Sequence, residues 1–182
     1  MIKHSQLSKL CGNTTLAARY LDPLNTAMQR FGIDTPVRAA AFLAQIMHES
    51  ARLRYVRELA SGAAYEGRSD LGNVEPGDGR YFKGRGLIQI TGRANYRACS
   101  LALYGDERLI DHPSLLEAPE ASALSAAWYW HSRNLNALAD AGQFDLITRR
   151  INGGLNGAQD RRTLHAVALA ALMPIKAPET PA

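Results

Sequence analysis

Little in this sequence announces a metal, a cofactor or a membrane. It holds two cysteines, Cys11 and Cys99, far apart in the chain. With no secretion signal in view they read as reduced, structural thiols rather than a disulfide framework. No apolar run approaches the ~18 residues that span a bilayer, so no stable membrane insertion is expected. Met1 to Leu10 carries two lysines, Lys3 and Lys9, and no continuous apolar core, which is unlike a signal peptide. The expectation is a chain that stays in the cytoplasm where it is made until something else releases it.

The common catalytic signatures are also missing. His48-Glu49 opens like the HExxH of zinc proteases, but Arg52 stands where the second histidine is required. His4, His112, His131 and His165 show no ligand spacing, so no metal is expected. No GxSxG occurs, which excludes that form of serine nucleophile. Gly79 and Gly84 have P-loop spacing, yet Arg85-Gly86 replaces the required Lys-Ser/Thr, and no Rossmann register fits; no cofactor is expected. The net charge of +4 and pI near 9.3 suggest attraction to polyanions. The arginines are scattered, however, and neither a zinc finger nor an RNP signature appears, so no nucleic-acid partner is expected.

What is present is helical periodicity. A short helix around 5–10 stops at Gly12. Thr14 or Thr15 starts another with Leu16, Tyr20, Leu24, Ala27, Met28 and Phe31 on one side, which Pro23 should kink or divide. Thr35-Pro36 is a capping hydroxyl followed by proline at the first helical position. It begins a third helix reaching about Ala51. Residues 61–86 are glycine-rich and loop-like, with interleaved aromatics arguing for order and a short strand or hairpin near Tyr81–Ile90. Helices follow after Thr91, from Pro119, near Phe144–Ile151, and over about Ala158–Leu172. The Trp128-Tyr129-Trp130 cluster reads more as core than as a sugar platform. Residues 174–182 read as a proline-rich flexible tail, and residues 1–173 as a single domain.

Two acids stand out, Glu49 and Glu58. Each has a plain reading as a surface carboxylate paired with Arg52, Arg54 or Arg57. Two carboxylates facing one cleft, however, can hydrolyse a glycosidic bond with no metal. On one unbroken helix they would lie ~13 Å apart and on opposite faces. A shared role therefore requires the helix to end between them, in a stretch with neither glycine nor proline.

Taken together, several motifs carry a resemblance. They are His48-Glu49-Ser50, Glu58, the run Gly84-Arg85-Gly86-Leu87-Ile88-Gln89-Ile90-Thr91-Gly92-Arg93-Ala94-Asn95-Tyr96, and Ile151-Asn152-Gly153-Gly154. The chain over about 35–172 resembles the family 19 glycoside hydrolases, a group containing plant-type chitinases and many bacteriophage endolysins. Leu71 to Gly79 looks like the phage and prophage branch. The resemblance implies a mainly α, lysozyme-like fold: two helical lobes around a substrate cleft, with at most a small β-hairpin. It implies Glu49 as general acid, Glu58 as general base and Thr91 as the holder of the attacking water. Gln89, Asn95, Asn152, His48 and Tyr81 would bind substrate. The interval between the two glutamates is shorter than in plant chitinases, which keeps Glu66 and Glu75 as alternatives for the base. The family's last helix often supplies an arginine to the carboxylates. Here the counted position is Ala166, with Arg161 or Arg162 as substitutes.

The function expected on these grounds is an inverting muramidase-type endolysin. It would cleave β-1,4 bonds in peptidoglycan glycan strands as a monomer, causing cytolysis. A holin-type partner would release it from the host bacterial cytoplasm to act in the periplasm and cell wall. The rivals are chitin hydrolysis by the same site, a lytic transglycosylase using one glutamate, and a non-catalytic glycan-binding module.

Overall fold

The structure is a computed structural model and describes residues 1–173; the expected C-terminal tail lies outside the described residues. Ten α-helices are present among them: α1 (His4–Cys11), α2 (Thr14–Arg30), α3 (Pro36–Glu49), α4 (Asp78–Tyr81), α5 (Arg93–Tyr104), α6 (Arg108–Asp111), α7 (Pro119–Ser132), α8 (Leu135–Asp140), α9 (Phe144–Asn152) and α10 (Ala158–Leu172). The fold is mainly α, as the resemblance implied. No helix is long and apolar enough to cross a membrane among the described residues.

Local chemistry sets most of the boundaries. Asn13 caps α2 by accepting from the Leu16 amide at 2.9 Å, and Thr35 caps α3 by accepting from Arg38 at 3.2 Å. Pro23 does not divide α2, which runs unbroken from Thr14 to Arg30. Proline deletes one backbone bond, but Tyr20, Leu24, Ala27 and Met28 are buried on the same helix as it lies along α7 and α1. Packing outweighs the local penalty. The short helices α6 and α8 had no clear sequence signal.

α3 is the central element. Every residue from Ala39 to Met47 is buried, so this helix is buried all round and is packed on by α10, α8 and α7. Phe42 meets Trp130 edge-on at 5.5 Å. The Trp130 indole N–H donates to Asn136 Oδ1 at 2.8 Å, which seats that aromatic in the core as anticipated.

The smaller lobe is built from residues 55–92 and the start of α5. The expected hairpin is reduced to two isolated antiparallel bridges, Arg57 with Arg85 and Arg85 with Ile90. Polar clamps replace a sheet. Asp78 is 3% exposed and pairs with Arg93 at 2.5 Å, while also accepting from the Val74 and Glu75 amides at 3.1 Å each. Asn73 accepts from the Arg93 amide at 2.8 Å and donates to the Tyr65 carbonyl at 2.8 Å. Glu66 accepts from the amides of Gly77 and Gly79 at 2.6 and 2.9 Å. Side chains thus satisfy backbone groups that a ladder would otherwise satisfy.

Candidate active site

α3 stops at Glu49, and the next residue explains how. Ser50 is fully buried; its Oγ donates to the Ile46 carbonyl at 2.6 Å and accepts from the Leu53 amide at 2.8 Å. Its carbonyl accepts from Arg54 and Tyr55 at 2.9 Å each. Between them Ala51, Arg52 and Leu53 have φ of +47°, +62° and +67°. A left-handed residue other than glycine costs roughly 1–2 kcal/mol, so three in succession need a strong anchor. Buried Leu53 and the Ser50 bonds supply it. The break required between the two glutamates is therefore made by a left-handed turn, without glycine or proline.

Glu49 faces α10. Its side chain is 20% exposed and accepts from Arg161 Nη2 at 2.5 Å, with Arg161 2% exposed. Arg161 Nη1 also donates to Gln45 Oε1 at 2.5 Å. Ala166, the position reached by counting along the last helix, is exposed; Arg162 instead pairs with Asp145 at 2.7 Å. Tyr129 lies within the field of Glu49, and its phenol is pushed above the ordinary range mainly by burial, with the Glu49 charge adding to the shift. The Arg133 guanidinium lies over its ring at 3.4 Å and opposes that shift. His48, beside Glu49, pairs through Nδ1 with Asp160 at 2.6 Å. Its ring closes on Gly157, where an added Cβ would lie 2.4 Å from it.

Glu58 is held by the glycine-rich run. Its Oε1 accepts from the Tyr65 hydroxyl at 3.1 Å and its Oε2 from the Gly84 amide at 3.1 Å. Burial, seconded by that bond, raises the Tyr65 phenol and keeps it a neutral donor. Gly84 is the meeting point of three candidate groups. A Cβ there would lie 2.6 Å from Gln89 Oε1, 3.3 Å from Glu58 Oε2 and 3.3 Å from Thr91 Oγ1. Gln89 has φ +57° and donates to the Gly86 carbonyl at 2.9 Å, leaving its oxygen at this focus. Thr91 donates to the Gln89 carbonyl at 2.9 Å, so its lone pairs remain for a further partner. Asn95 joins through its amide, which donates to the Thr91 carbonyl at 2.7 Å.

The other expected residues are less closely tied. Asn152 is exposed at the end of α9, and its amide donates to Asn156 at 3.4 Å. Tyr81 is 47% exposed, but its hydroxyl is committed to the Asp111 carbonyl at 2.7 Å. Glu66 spends both oxygens on the Gly77 and Gly79 amides. Gln45, Tyr65 and Tyr129 were missed by sequence reasoning. A polar residue inside the apolar face of α3 was the available signal for Gln45. Among the described residues no group of His, Cys, Asp and Glu is placed to hold a metal. A cavity of about 390 Å³ lined by Ile2, Met28, Ile33, Pro36 and Leu172 lies at the other end of α3, ~20 Å from Glu49 by helix rise.

No protein-family model matches the chain. It is 39% identical over 108 residues, 59% of its length, to a glycosyl hydrolase family 19 domain-containing protein of Haemophilus influenzae. It is 39% identical over 115 residues, 63% of its length, to an endochitinase of Arabidopsis thaliana. The chain spans 51% and 39% of these two relatives' own lengths. Among solved structures it matches chitinase C from Streptomyces griseus with TM-score 0.76 at 26% identity, covering 98% of this chain and 79% of that one. A bacterial family 19 chitinase matches with TM-score 0.76 at 24% identity, covering 94% of each chain. The chain is similar in sequence to family 19 proteins and has the two-lobed, lysozyme-like fold of the family 19 chitinases.

These relatives overturn the expectation of a peptidoglycan-cleaving endolysin. They are named for chitinases or for family 19, from bacteria and plants, and none supports a phage lysin, a cytolytic role or a holin-type partner. The structure supplies a reason for the misreading. The 71–79 segment that looked like the phage branch is scaffolding: Asn73 and Asp78 brace Arg93, and Gly72 packs on Ala94. Its residues hold Arg93 and Ala94, at the end of the glycine-rich run, in place.

Proposed function

From a chain similar in sequence and fold to the family 19 chitinases, we propose that this protein is a glycoside hydrolase cutting the β-1,4 bonds of chitin. Glu49 is the general acid, protonating the glycosidic oxygen as the bond breaks. Glu58 is the general base, taking a proton from the attacking water. The observation that carries this reading is the convergence of Glu58 Oε2, Thr91 Oγ1 and Gln89 Oε1 on Gly84. Glu58 receives two hydrogen bonds as an acceptor, the pairing of an ionised carboxylate, the form from which a general base acts. A water between Glu58 and Thr91 donates one hydrogen to each, leaving a lone pair for the anomeric carbon. Gln89 and Asn95 meet the N-acetyl and hydroxyl groups of the sugar in the same wall. Water attacks the face opposite the leaving group, so the configuration inverts.

The test is hydrolysis of N-acetylglucosamine oligomers by the purified protein, with product anomers followed by NMR. The initial product is expected as the α-anomer. Glu49→Gln and Glu58→Gln are each expected to lose ~10²–10⁴-fold in kcat with the fold retained. Failure of the unaltered protein to cut chitin oligomers, or full activity in Glu49→Gln, refutes the reading.

A further inference from the structure

Behind the Arg161–Glu49 pair a chain of hydrogen bonds runs through the core with one polarity from end to end. Thr148 Oγ1 donates to the Phe144 carbonyl at 3.3 Å, which commits its only hydrogen. Gln45 Nε2 then donates into the remaining lone pairs of Thr148 at 2.9 Å. The two ends of an amide have nearly the same shape, and this bond decides which faces which way. The Gln45 oxygen is turned toward α10, where Arg161 Nη1 donates to it at 2.5 Å. Arg161 Nη2 finally donates to Glu49. Gln45 and Thr148 are both wholly buried.

The Arg161 guanidinium has few other holds. Its Nε–H is buried and has no partner, so its orientation rests on Glu49 and Gln45. Glu49 gives up its negative charge whenever it carries the proton the reaction needs. Gln45 is the partner whose hold stays constant through the cycle. We propose that Gln45 and Thr148 are positioning residues for the proton donor. Thr148 sets the amide orientation, Gln45 holds Arg161, and Arg161 aims the Glu49 carboxyl. Neither residue touches substrate. The catalytic consequence rests on the glycosidase reading above, whereas the side-chain order it describes does not.

Thr148→Val keeps the shape and removes the hydroxyl. Gln45 then loses its acceptor and is free to turn, and a turned amide presents N–H groups to the guanidinium. Thr148→Ser keeps the hydroxyl and serves as the rescue. Thr148→Val is expected to lower kcat on chitin oligomers about tenfold with KM changed less than about twofold, and Thr148→Ser to restore kcat to within about twofold. Independently of activity, the Arg161 guanidinium NMR signals should be resolved in the unaltered and Ser proteins and averaged in the Val protein. Unaltered kcat and unaltered Arg161 signals in Thr148→Val overturn the proposal, as do equal losses in Val and Ser or a change confined to KM. If the unaltered protein cuts no chitin while Thr148→Val still averages the Arg161 signals, the substrate reading fails and the positioning geometry stands. Should Thr148→Val not fold, Gln45→Glu sets a second carboxylate on Arg161 in competition with Glu49. Its kcat is expected to fall at least about tenfold, and unchanged kcat there overturns the proposal.

Discussion

Glu58 and Gly84 are bonded to each other twice. The Glu58 amide donates to the Gly84 carbonyl at 2.9 Å, and the Gly84 amide donates back to the Glu58 carboxylate at 3.1 Å. The glycine at the head of the motif thus holds both the backbone and the side chain of the acid that follows the helix break. The need for glycine at 84 is one of close approach, since three polar groups crowd the position a Cβ would take.

Gly84→Ala is accordingly expected to fold but to push Gln89 and the Glu58 carboxylate apart. The crowding should cost about 1–3 kcal/mol of stability, and kcat/KM on chitin oligomers should fall at least about tenfold as the base is displaced. Thermal unfolding and steady-state kinetics read the two effects separately. An Ala variant with native activity would show that the convergence at Gly84 has no part in catalysis.

Ser50→Ala tests the turn between the two acids. It removes the hydroxyl that bonds both Ile46 and Leu53 and leaves the Leu53 amide buried without that partner. A loss of about 1–3 kcal/mol is expected, together with lower activity because the left-handed turn loses its anchor. Denaturant unfolding checks the first. Native stability in this variant would mean that Leu53 burial alone maintains the turn.

Stability at low pH should depend on Asp78. Hydrogen bonding to the Arg93 guanidinium, aided by the Val74 and Glu75 amides and opposed by burial, holds its carboxyl below the usual range. A depressed acid stabilises the fold above its unfolded value near ~3.9 and loses that contribution as pH falls through its folded value. Asp78→Asn should therefore melt several degrees lower, about 5 °C, at pH 7. The gap should close as the pH is brought from 4 toward 2. A gap that is constant with pH would exclude the ion pair as its source.

His165 should add a second, milder dependence. Its ring stacks on Phe144 at 4.1 Å and 2°, and its buried Nε2 has no partner. Burial lowers its proton affinity. The unfolded chain therefore binds a proton more readily, and stability is complete above the ordinary histidine value and declines as pH falls below ~6.5. His165→Phe should flatten the melting temperature between pH 7.5 and 5. A slope equal to that of the unaltered protein would assign it to another group.

Much of this architecture was legible because the signals are local. Thr35 and Pro36 mark a helix start by capping chemistry, and Gly12 marks an end by its left-handed backbone, whereas the cap of α2 is Asn13 and not Thr14 or Thr15. The division of α2 that Pro23 allowed does not occur, because the local rule carried no knowledge of the α7 and α1 surfaces that hold α2 together. The hairpin near Tyr81–Ile90 shrank to bridges because Asp78, Asn73 and Glu66, residues with no strand signature, satisfy that lobe's backbone instead. The peptidoglycan substrate was misread for a different reason: the segment that suggested it braces the lobe.

By itself the sequence determined the helical class, the order of most elements and the acids worth testing, because capping and periodicity act within a few residues. Only the tertiary structure decided that α3 ends in a left-handed turn at 51–53, since that turn is strained locally and is sustained by Ser50 and buried Leu53. Only the tertiary structure chose Arg161 over Ala166 and Arg162 as the partner of Glu49. That choice depends on the rotation of α10 against α3, which brings residues 112 positions apart to 2.5 Å. No spacing along the chain encodes it.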